Sequence, residues 1–329
     1  MKLPHRRQFL HLAAGAAALS AASRIARAQA YPSRPIKIIV PFPAGGNVDF
    51  VARLVGEGIS RELGQPIVVD IRAGAGGSLG AEQAARAARD GYTLLAGSNG
   101  PLTVNPFVQA KLGYDPIKDF VAIGLANLTP HVLAVHTSVP ARTLQELITL
   151  SKAKPASIGT SGAGSATHMT LARLTAQTGA GFQHVPYRGA APAVTDLLTG
   201  SITGVMTEIN SALPHHQSGK LRIIAVASAG RSPQVREVAT MIETGLKDFT
   251  AASYVGILAP AGTPSDIVAA LEQALVKAMS DKSLQDKFLA VGAEPVPVAL
   301  QTSKGFGNYI RQDYEHMREA AKIAGLTPQ

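Results

Sequence analysis

Short apolar runs recur along the first half of the chain, and each leads into a loop of small residues. The runs "IKIIV" (36–40), "IVVDI" (67–71), "TLLAGS" (93–98) and "SIGTS" (157–161) have the length and composition of buried strands. After three of the glycine-containing loops, apolar residues recur at helical spacing. This alternation predicts strand-loop-helix units, which are typical of α/β folds with mainly parallel sheets.

Two later runs predict how the chain divides. "HVLAVHTSV" (131–139) and "SYVGILAPAG" (253–262) bracket a central block and are predicted to be strands that cross between two lobes. On this interpretation lobe 1 is discontinuous, with residues 31–131 and 256–329, and lobe 2 comprises residues 132–255. Two amphipathic helices after the return are predicted to pack on lobe 1 through their apolar stripes.

The first thirty residues have the features of a targeting segment. A basic head precedes an apolar core, Leu12–Ala22, which is too short to span a bilayer. The segment ends in Ala28-Gln29-Ala30, so we expect cleavage near Ala30 and Tyr31 and a periplasmic protein. Arg6-Arg7 followed by Phe9-Leu10 indicates the twin-arginine route, with the general secretory route as the alternative.

Charge and composition exclude several classes of function. The formal net charge is +9, but residues 1–30 hold five of the 31 basic side chains and none of the 22 acidic ones, which leaves +4 for the rest. That charge does not indicate a nucleic-acid partner. The chain contains no cysteine, so disulfides, thiolate zinc sites and cysteine nucleophiles are excluded. The histidines lack metal-ligand spacing, and we expect no metal and no cofactor.

The glycine-rich loops do not match nucleotide-binding motifs. "GTSGAGSATH" (159–168) has no lysine after its glycines, as a phosphate loop requires. The dinucleotide spacing also fails, because Leu79 and Thr167 stand where a third glycine is needed.

A serine hydrolase is an alternative in another class. Ser161 lies in a sequence close to the G-x-S-x-G nucleophile elbow, but Ala163 replaces the second glycine. His184 and Asp196 are the residues that would complete a triad.

Several predicted helices begin in segments rich in small residues, where backbone amides are accessible. A helix start leaves up to four N–H groups unpaired and carries about half a positive charge, so several starts around one cleft would bind a carboxylate without arginine. The alternative is that the glycines only form tight turns and that Asp49 and Ser165 only cap their helices.

Longer segments carry a resemblance to a known family. They are "YPSRPIKIIVPFPAGGNVDFVARLV", "LGQPIVVDIRAGAGGSLGAE", "DGYTLLAGSNG", "YDPIKDF", "HVPYRGAAPAVTDLLTG", "SALPHHQSGKLRIIAVAS" and "LAPAGTP". Together they resemble the Bug-type extracytoplasmic receptors of tripartite tricarboxylate transporters, over essentially the whole mature chain. The resemblance implies a type II-like periplasmic-binding-protein fold, in which two α/β lobes close like a Venus flytrap.

The function implied by this resemblance is binding, not catalysis. We expect a monomeric receptor that holds a small aliphatic or aromatic carboxylate between its lobes and delivers it to the permease subunits. A ligand-presenting sensor subunit for a membrane kinase is a further alternative.

The resemblance also implies a set of ligand-binding residues from both lobes. They are Phe42, Ala44, Gly45, Gly46, Asp49, Gly76, Gly77, Ser98, Asn99, Ser161, Gly164, Ser165, Thr167, His168, Tyr187 and Thr207. His168 would either contact the ligand or support the helix end, and Tyr187 would either close over the ligand or pack in the lobe.

The chain departs from the family pattern in "GSITGVMTEINSALP" (200–214). Thr203 and Thr207 stand where aspartates are expected, and Glu208 follows the second of them. An aspartate there would accept an amino group, so its loss disfavours an amino-acid ligand unless Glu208 substitutes for it.

Overall fold

A computed structural model describes residues 31–293 and 296–323. The predicted signal peptide, residues 1–30, lies outside the described residues, so the export route and the cleavage site stay predictions. Within the described ranges, no helix combines the length and the apolar character that crossing a membrane requires.

The strands follow the apolar runs of the sequence. They are β1 (Ile36–Val40), β2 (Ile67–Ile71), β3 (Thr93–Ser98), β4 (Phe120–His136), β5 (Ala156–Thr160), β6 (Phe182–Pro186), β7 (Gly204–Glu208), β8 (Leu221–Val226) and β9 (Ala252–Pro260).

Helices follow most of the strands. They are α1 (Asn47–Leu63), α2 (Ser78–Ala85), α3 (Asn105–Val108), α4 (Leu144–Ala153), α5 (Ala166–Thr178), α6 (Ala190–Leu198), α7 (Ile209–Gln217), α8 (Ser265–Ser280), α9 (Lys282–Ala290) and α10 (Ser303–Ile323). Short 3₁₀ turns occupy Ala75–Gly77 and Val298–Leu300, and a π turn at Gly100–Val104 leads into α3.

The strands form two sheets that share β4. The first sheet has the order β2-β1-β3-β9-β4, and the second has the order β8-β4-β7-β5-β6. Residues Phe120–Pro130 of β4 pair with β9, whereas the residues from His131 onward pair with β7 and β8. We call the parts built on these sheets lobe 1 and lobe 2. The predicted domain boundaries at residues 131 and 255 stay a prediction.

The predicted α/β fold with two lobes is confirmed, but the sheets are more mixed than the repeating pattern suggested. Parallel pairs join β1 to β2 and β3, and β5 to β6 and β7. The pairs that involve β4 or β9 are antiparallel. β4 carries the chain from lobe 1 into lobe 2 and β9 carries it back, so these neighbouring strands run in opposite directions.

Each lobe has its own apolar core between sheet and helices. In lobe 1, helix α1 packs against α8, and buried residues such as Val51, Ile257 and Leu275 fill the space above the sheet. The predicted stripe of α8 is buried at Leu271, Leu275 and Met279, because positions four residues apart lie on one helical face. In lobe 2, two apolar clusters cover the faces of the sheet.

The lobes approach each other closely at two glycines of lobe 2. A Cβ atom built on Gly189 of lobe 2 would lie 2.8 Å from Cδ of Pro43, and one built on Gly164 would lie 2.7 Å from Oδ1 of Asn105. Both glycines have positive φ angles. The close approach of the two lobes therefore depends on the missing side chains.

Candidate functional site

A small cavity of about 30 Å³ lies where helix N-termini from both lobes meet. We call it the inner cavity. Six residues predicted from the sequence line it: Phe42, Gly46, Ser98, Asn99, Ser161 and Ser165. Eight others line it that were not predicted: Pro43, Asn47, Val48, Gly100, Ala166, Ala190, Glu208 and Ser253.

Helices α1 and α6 begin at this cavity without a side-chain cap. Gly46 precedes α1 and Gly189 precedes α6, and neither helix start has a side-chain oxygen that accepts from its first turn. The N–H groups of Asn47, Val48 and Ala190 lie in these first turns. No carbonyl of the same helix can accept from them. They are donors beside the positive ends of two helix dipoles, which favours an anion.

Helix α5 begins at the same cavity with a serine cap. Oγ of Ser165 accepts from the N–H of His168 at 3.2 Å and donates to the carbonyl oxygen of Gly162 at 2.7 Å. Oγ1 of Thr167 accepts from the N–H of Ser161 at 3.0 Å. Ser165 therefore combines a capping role with a place in the cavity wall, and Thr167 holds the loop in shape.

Asp49 stabilises the loop after β1. Its Oδ2 accepts from the N–H of Gly45 at 2.8 Å, and its Oδ1 accepts from Nε of Arg53 at 2.8 Å. These bonds fix the loop conformation that brings Gly46 to the cavity. The aspartate acts through the loop, since it lines neither cavity.

A buried polar chain reaches the inner cavity from the crossing strands. Oγ of Ser253 on β9 donates to Oε1 of Glu208 at 2.7 Å. Nε2 of His131 lies 2.8 Å from Oγ of Ser253, and its Nδ1 lies 2.8 Å from Oγ1 of Thr170. Burial, with a smaller effect from Arg173, lowers the pKa of His131 to about 3, so its imidazole is neutral at physiological pH.

Asn47 forms a contact between the lobes at the inner cavity. Its Oδ1 accepts from Nδ2 of Asn210 at 2.8 Å and from Oγ1 of Thr129 at 3.2 Å. Its Nδ2 is buried and has no hydrogen-bond partner among the described residues. This amide is a spare donor on a residue of the cavity wall.

A second, larger cavity of about 610 Å³ adjoins the first. We call it the outer cavity. Phe42 and Ser161 line both cavities, so they stand at the boundary between them. Five further predicted residues line the outer cavity: Gly76, Gly77, Gly164, His168 and Tyr187.

His168 stacks on His184 in the wall of the outer cavity. Their ring centroids are 4.0 Å apart with an interplanar angle of 12°. Burial lowers the pKa of both rings, and His168 adds to the effect on His184, whose pKa falls to about 4. Tyr187 donates to Oδ2 of Asp196 at 2.7 Å. The predicted roles of His168 and of Tyr187 therefore stay predictions.

Five predicted residues line neither cavity: Ala44, Gly45, Asp49, Thr167 and Thr207. Ala44 and Gly45 are exposed on the loop before α1. Thr207 is buried, and its hydroxyl donates to Oε2 of Glu208 at 3.3 Å. The remaining two stabilise loops through the bonds described above.

Some of the residues that the prediction missed had a signal in the sequence. Asn47 and Ala190 directly follow Gly46 and Gly189, so the glycine segments marked them as first residues of helices. Ser253 had no such signal, because its place in the wall depends on the pairing of β9 with β4.

The alternative of a serine hydrolase lacks its triad. Nε2 of His184 lies 2.7 Å from Oγ1 of Thr160, and Asp196 accepts from Tyr187. Among the described residues, no hydrogen bond joins Ser161 to His184 or His184 to Asp196. Over residues 31–293 and 296–323, no group of three or more histidine and acidic side chains could hold a metal ion.

Two α/β lobes joined by crossing strands, with helix N-termini around a cavity between them, define a two-lobed solute-binding protein. Comparisons identify the family. The family model described as "Tripartite tricarboxylate transporter family receptor" matches residues 51–320. The chain belongs to this family of periplasmic receptors, which confirms the resemblance seen in the sequence.

Individual relatives agree with this assignment. The chain is 36% identical over 282 residues to protein BugT from Bordetella pertussis, which covers 85% of this chain and 86% of BugT. A protein from R. palustris solved with adipate has a TM-score of 0.87 at 30% identity, with 91% of this chain and all of that chain covered. MatC from Rhodopseudomonas palustris, solved with bound malate, has a TM-score of 0.84 at 29% identity, with coverages of 88% and 100%.

Proposed function

We propose that the protein binds the carboxylate group of a small organic acid in the inner cavity. The observation that carries this proposal is the meeting of three helix N-termini, from α1 in lobe 1 and from α5 and α6 in lobe 2, on one cavity. Each N-terminus supplies N–H donors and about half a positive charge. Because the donors come from both lobes, the bound acid stabilises the closed arrangement of the lobes.

The two cavities would hold different parts of the ligand: the inner cavity its carboxylate head, and the outer cavity its tail. A volume of about 30 Å³ holds a carboxylate head but not a whole organic acid. The outer cavity of about 610 Å³ lies within the usual range of small-molecule sites, roughly 300–1,000 Å³. The tail would pass between Phe42 and Ser161. Relatives solved with adipate and malate support an acid of this size.

The receptor would deliver its acid to a membrane permease of the tripartite type without changing it chemically. Family membership supports this role. The hydrogen bonds of His184 to Thr160 and of Asp196 to Tyr187 argue against a hydrolase, because they do not form a triad with Ser161. Turnover of simple esters by the purified protein that disappears in Ser161→Ala would contradict the proposal. Permease genes beside this one would favour transport over the sensor alternative.

A thermal-shift screen of the mature protein tests the binding proposal. The panel contains adipate, malate, succinate, benzoate and glutamate as sodium salts. A ligand at 100 times its dissociation constant adds about 2.7 kcal/mol to stability, so a binding acid raises the melting temperature clearly. Isothermal titration calorimetry then gives the stoichiometry, which we expect to be one. If no organic acid shifts the melting temperature, the proposed function is wrong.

A further inference from the structure

Glu208 brings a second carboxyl group to the cavity that we propose for the ligand carboxylate. Glu208 lines the inner cavity, and the residue is only 7% exposed. Two carboxylates in a cavity of about 30 Å³ would repel each other strongly at low local dielectric. One of the two groups must then carry a proton or be compensated by a cation.

The surroundings of Glu208 offer no such cation. None of the ion pairs among the described residues involves Glu208. Among the charged and titratable groups on the elements around it are His131 on β4, His168 and Arg173 on α5, Asp49 and Arg53 on α1, and His215 on α7. Burial lowers the pKa of all three histidines, which keeps them neutral near pH 7. Asp49 is paired with Arg53, and the Arg173 guanidinium lies 3.8 Å from the ring centre of Phe249.

The hydrogen-bond chain decides which oxygen of Glu208 would hold a proton. The hydroxyl hydrogen of Ser253 goes to Oε1 of Glu208, so Oγ of Ser253 has to accept from Nε2–H of His131. Nδ1 of the neutral imidazole is then the acceptor for the one hydroxyl hydrogen of Thr170, which in this arrangement does not go to the carbonyl oxygen of Ala166 at 3.0 Å. Oε1 is therefore already an acceptor.

Oε2 is the oxygen of Glu208 that is free to carry a proton and donate a hydrogen bond. Its partner is the hydroxyl of Thr207 at 3.3 Å, which is long for a bond between two oxygens. A proton on Oε2 leaves the bond from Ser253 intact and makes Glu208 a donor. Burial also raises the pKa of Glu208, in agreement with a neutral carboxyl group.

We propose that neutral Glu208 donates a hydrogen bond from Oε2 to the ligand carboxylate, so that at alkaline pH, where Glu208 of the free receptor is ionised, the receptor takes up a proton together with each acid. This inference rests on the proposed function, since it needs a carboxylate in the inner cavity. It makes Glu208 a residue that determines specificity. An acid that places its ammonium group at this point would instead require ionised Glu208 and would take up no proton.

Calorimetric titration of the native receptor measures the proton directly. The probe is the acid that gives the largest shift in the panel named above, titrated in two buffers with different ionisation enthalpies from about pH 6 to about pH 10. We expect uptake that approaches one proton per acid at the alkaline end. Over that range the affinity should fall by up to about tenfold per pH unit.

Two variants assign the proton. Glu208→Gln keeps an N–H donor and the side-chain volume, and we expect it to bind without proton uptake and with a nearly flat pH profile. Glu57→Gln changes an exposed carboxylate on α1 and should keep the native profile. If the native receptor binds its acid without proton uptake, or if Glu208→Gln shows the same uptake, the inference is wrong although the proposed function stands. If no acid binds at all, the proposed function itself fails.

Discussion

Nδ2 of Asn210 donates a hydrogen bond to Oδ1 of Asn47 at 2.8 Å, and this bond joins lobe 2 to lobe 1 beside the inner cavity. Asn210 lies on the first turn of α7 and does not line the cavity, whereas Asn47 is the first residue of α1 and does. The bond exists only while the lobes are close together. The bond therefore couples closure of the cleft to Asn47, which would contact the ligand.

The first prediction concerns this bond. Asn210→Ala removes it from the closed arrangement and leaves the open one unchanged, so the equilibrium moves toward open. We expect the affinity for the acid to fall by about three- to tenfold, which corresponds to the loss of one hydrogen bond of about 1 kcal/mol. Calorimetry measures the change. Gln217→Ala, an exposed change on the same helix, should leave the affinity unchanged. Native affinity in Asn210→Ala would show that the bond does not contribute to closure.

The second prediction concerns the uncapped start of α1. Gly46 has φ −86° and ψ 175°, which a valine adopts readily, and a Cβ atom there would meet only the carbonyl oxygen of Pro43 at 3.6 Å. Gly46→Val should therefore fold, with a stability loss of about 1 kcal/mol or less from the altered cap. The added side chain would enter the inner cavity and abolish binding.

The matched control for this change is Gly230→Val. Gly230 is exposed, and a Cβ atom there has no neighbour within 4 Å. It should keep both binding and stability. Calorimetry and thermal melting on the three proteins decide the point: near-native affinity in Gly46→Val would remove the loop after β1 from the site.

The third prediction separates capping from ligand contact at Ser165. Ser165→Ala removes the acceptor for the N–H of His168 and should cost roughly 0.5–2 kcal/mol of stability. Thr143 caps α4 in the same way, through the N–H of Glu146, but lies away from both cavities. Thr143→Ala should therefore lose similar stability and keep its affinity, whereas Ser165→Ala should also lose affinity. Equal binding by both variants, measured alongside urea unfolding, would limit Ser165 to capping.

The fourth prediction is a loss of stability in acid that arises from His131. Its folded pKa is lowered by burial to about 3, whereas in the unfolded chain the imidazole titrates near 6.5. As the pH falls from 6.5 toward 3, the unfolded state binds a proton that the folded state does not, so stability is lost over this window. The loss amounts to at most roughly 5 kcal/mol.

Urea unfolding at about pH 7 and about pH 4 tests this effect. His131→Gln should be less stable than the native protein at the higher pH, because it loses bonds to Ser253 and Thr170, but it should lose less on acidification. His136→Gln removes a histidine that bonds to Ser138 outside the cavity and should keep the native difference. An undiminished fall in His131→Gln would assign the acid sensitivity to other groups.

Local pattern alone predicted the units from which the protein is built. Apolar runs of five or six residues became β1, β2, β3 and β5, and the glycine segments after β1 and β5 became the starts of α1 and α5. These features depend on neighbours in the sequence, such as the cap formed by Ser165 and the N–H of His168. The same segments carried the family resemblance, and so the general function.

The composition of the site was decided by tertiary structure. His131 and Ser253 are 122 residues apart in sequence, and Ser253 and Glu208 are 45 apart, yet their side chains are bonded because β7 and β9 both pair with β4. No local pattern specifies such a pairing. Conversely, Asp49 and Thr167 lie in the predicted loops but turn their oxygens to backbone N–H groups of the loops themselves. A loop's position follows from its strand, whereas the direction of each side chain depends on which donors the folded loop leaves unpaired.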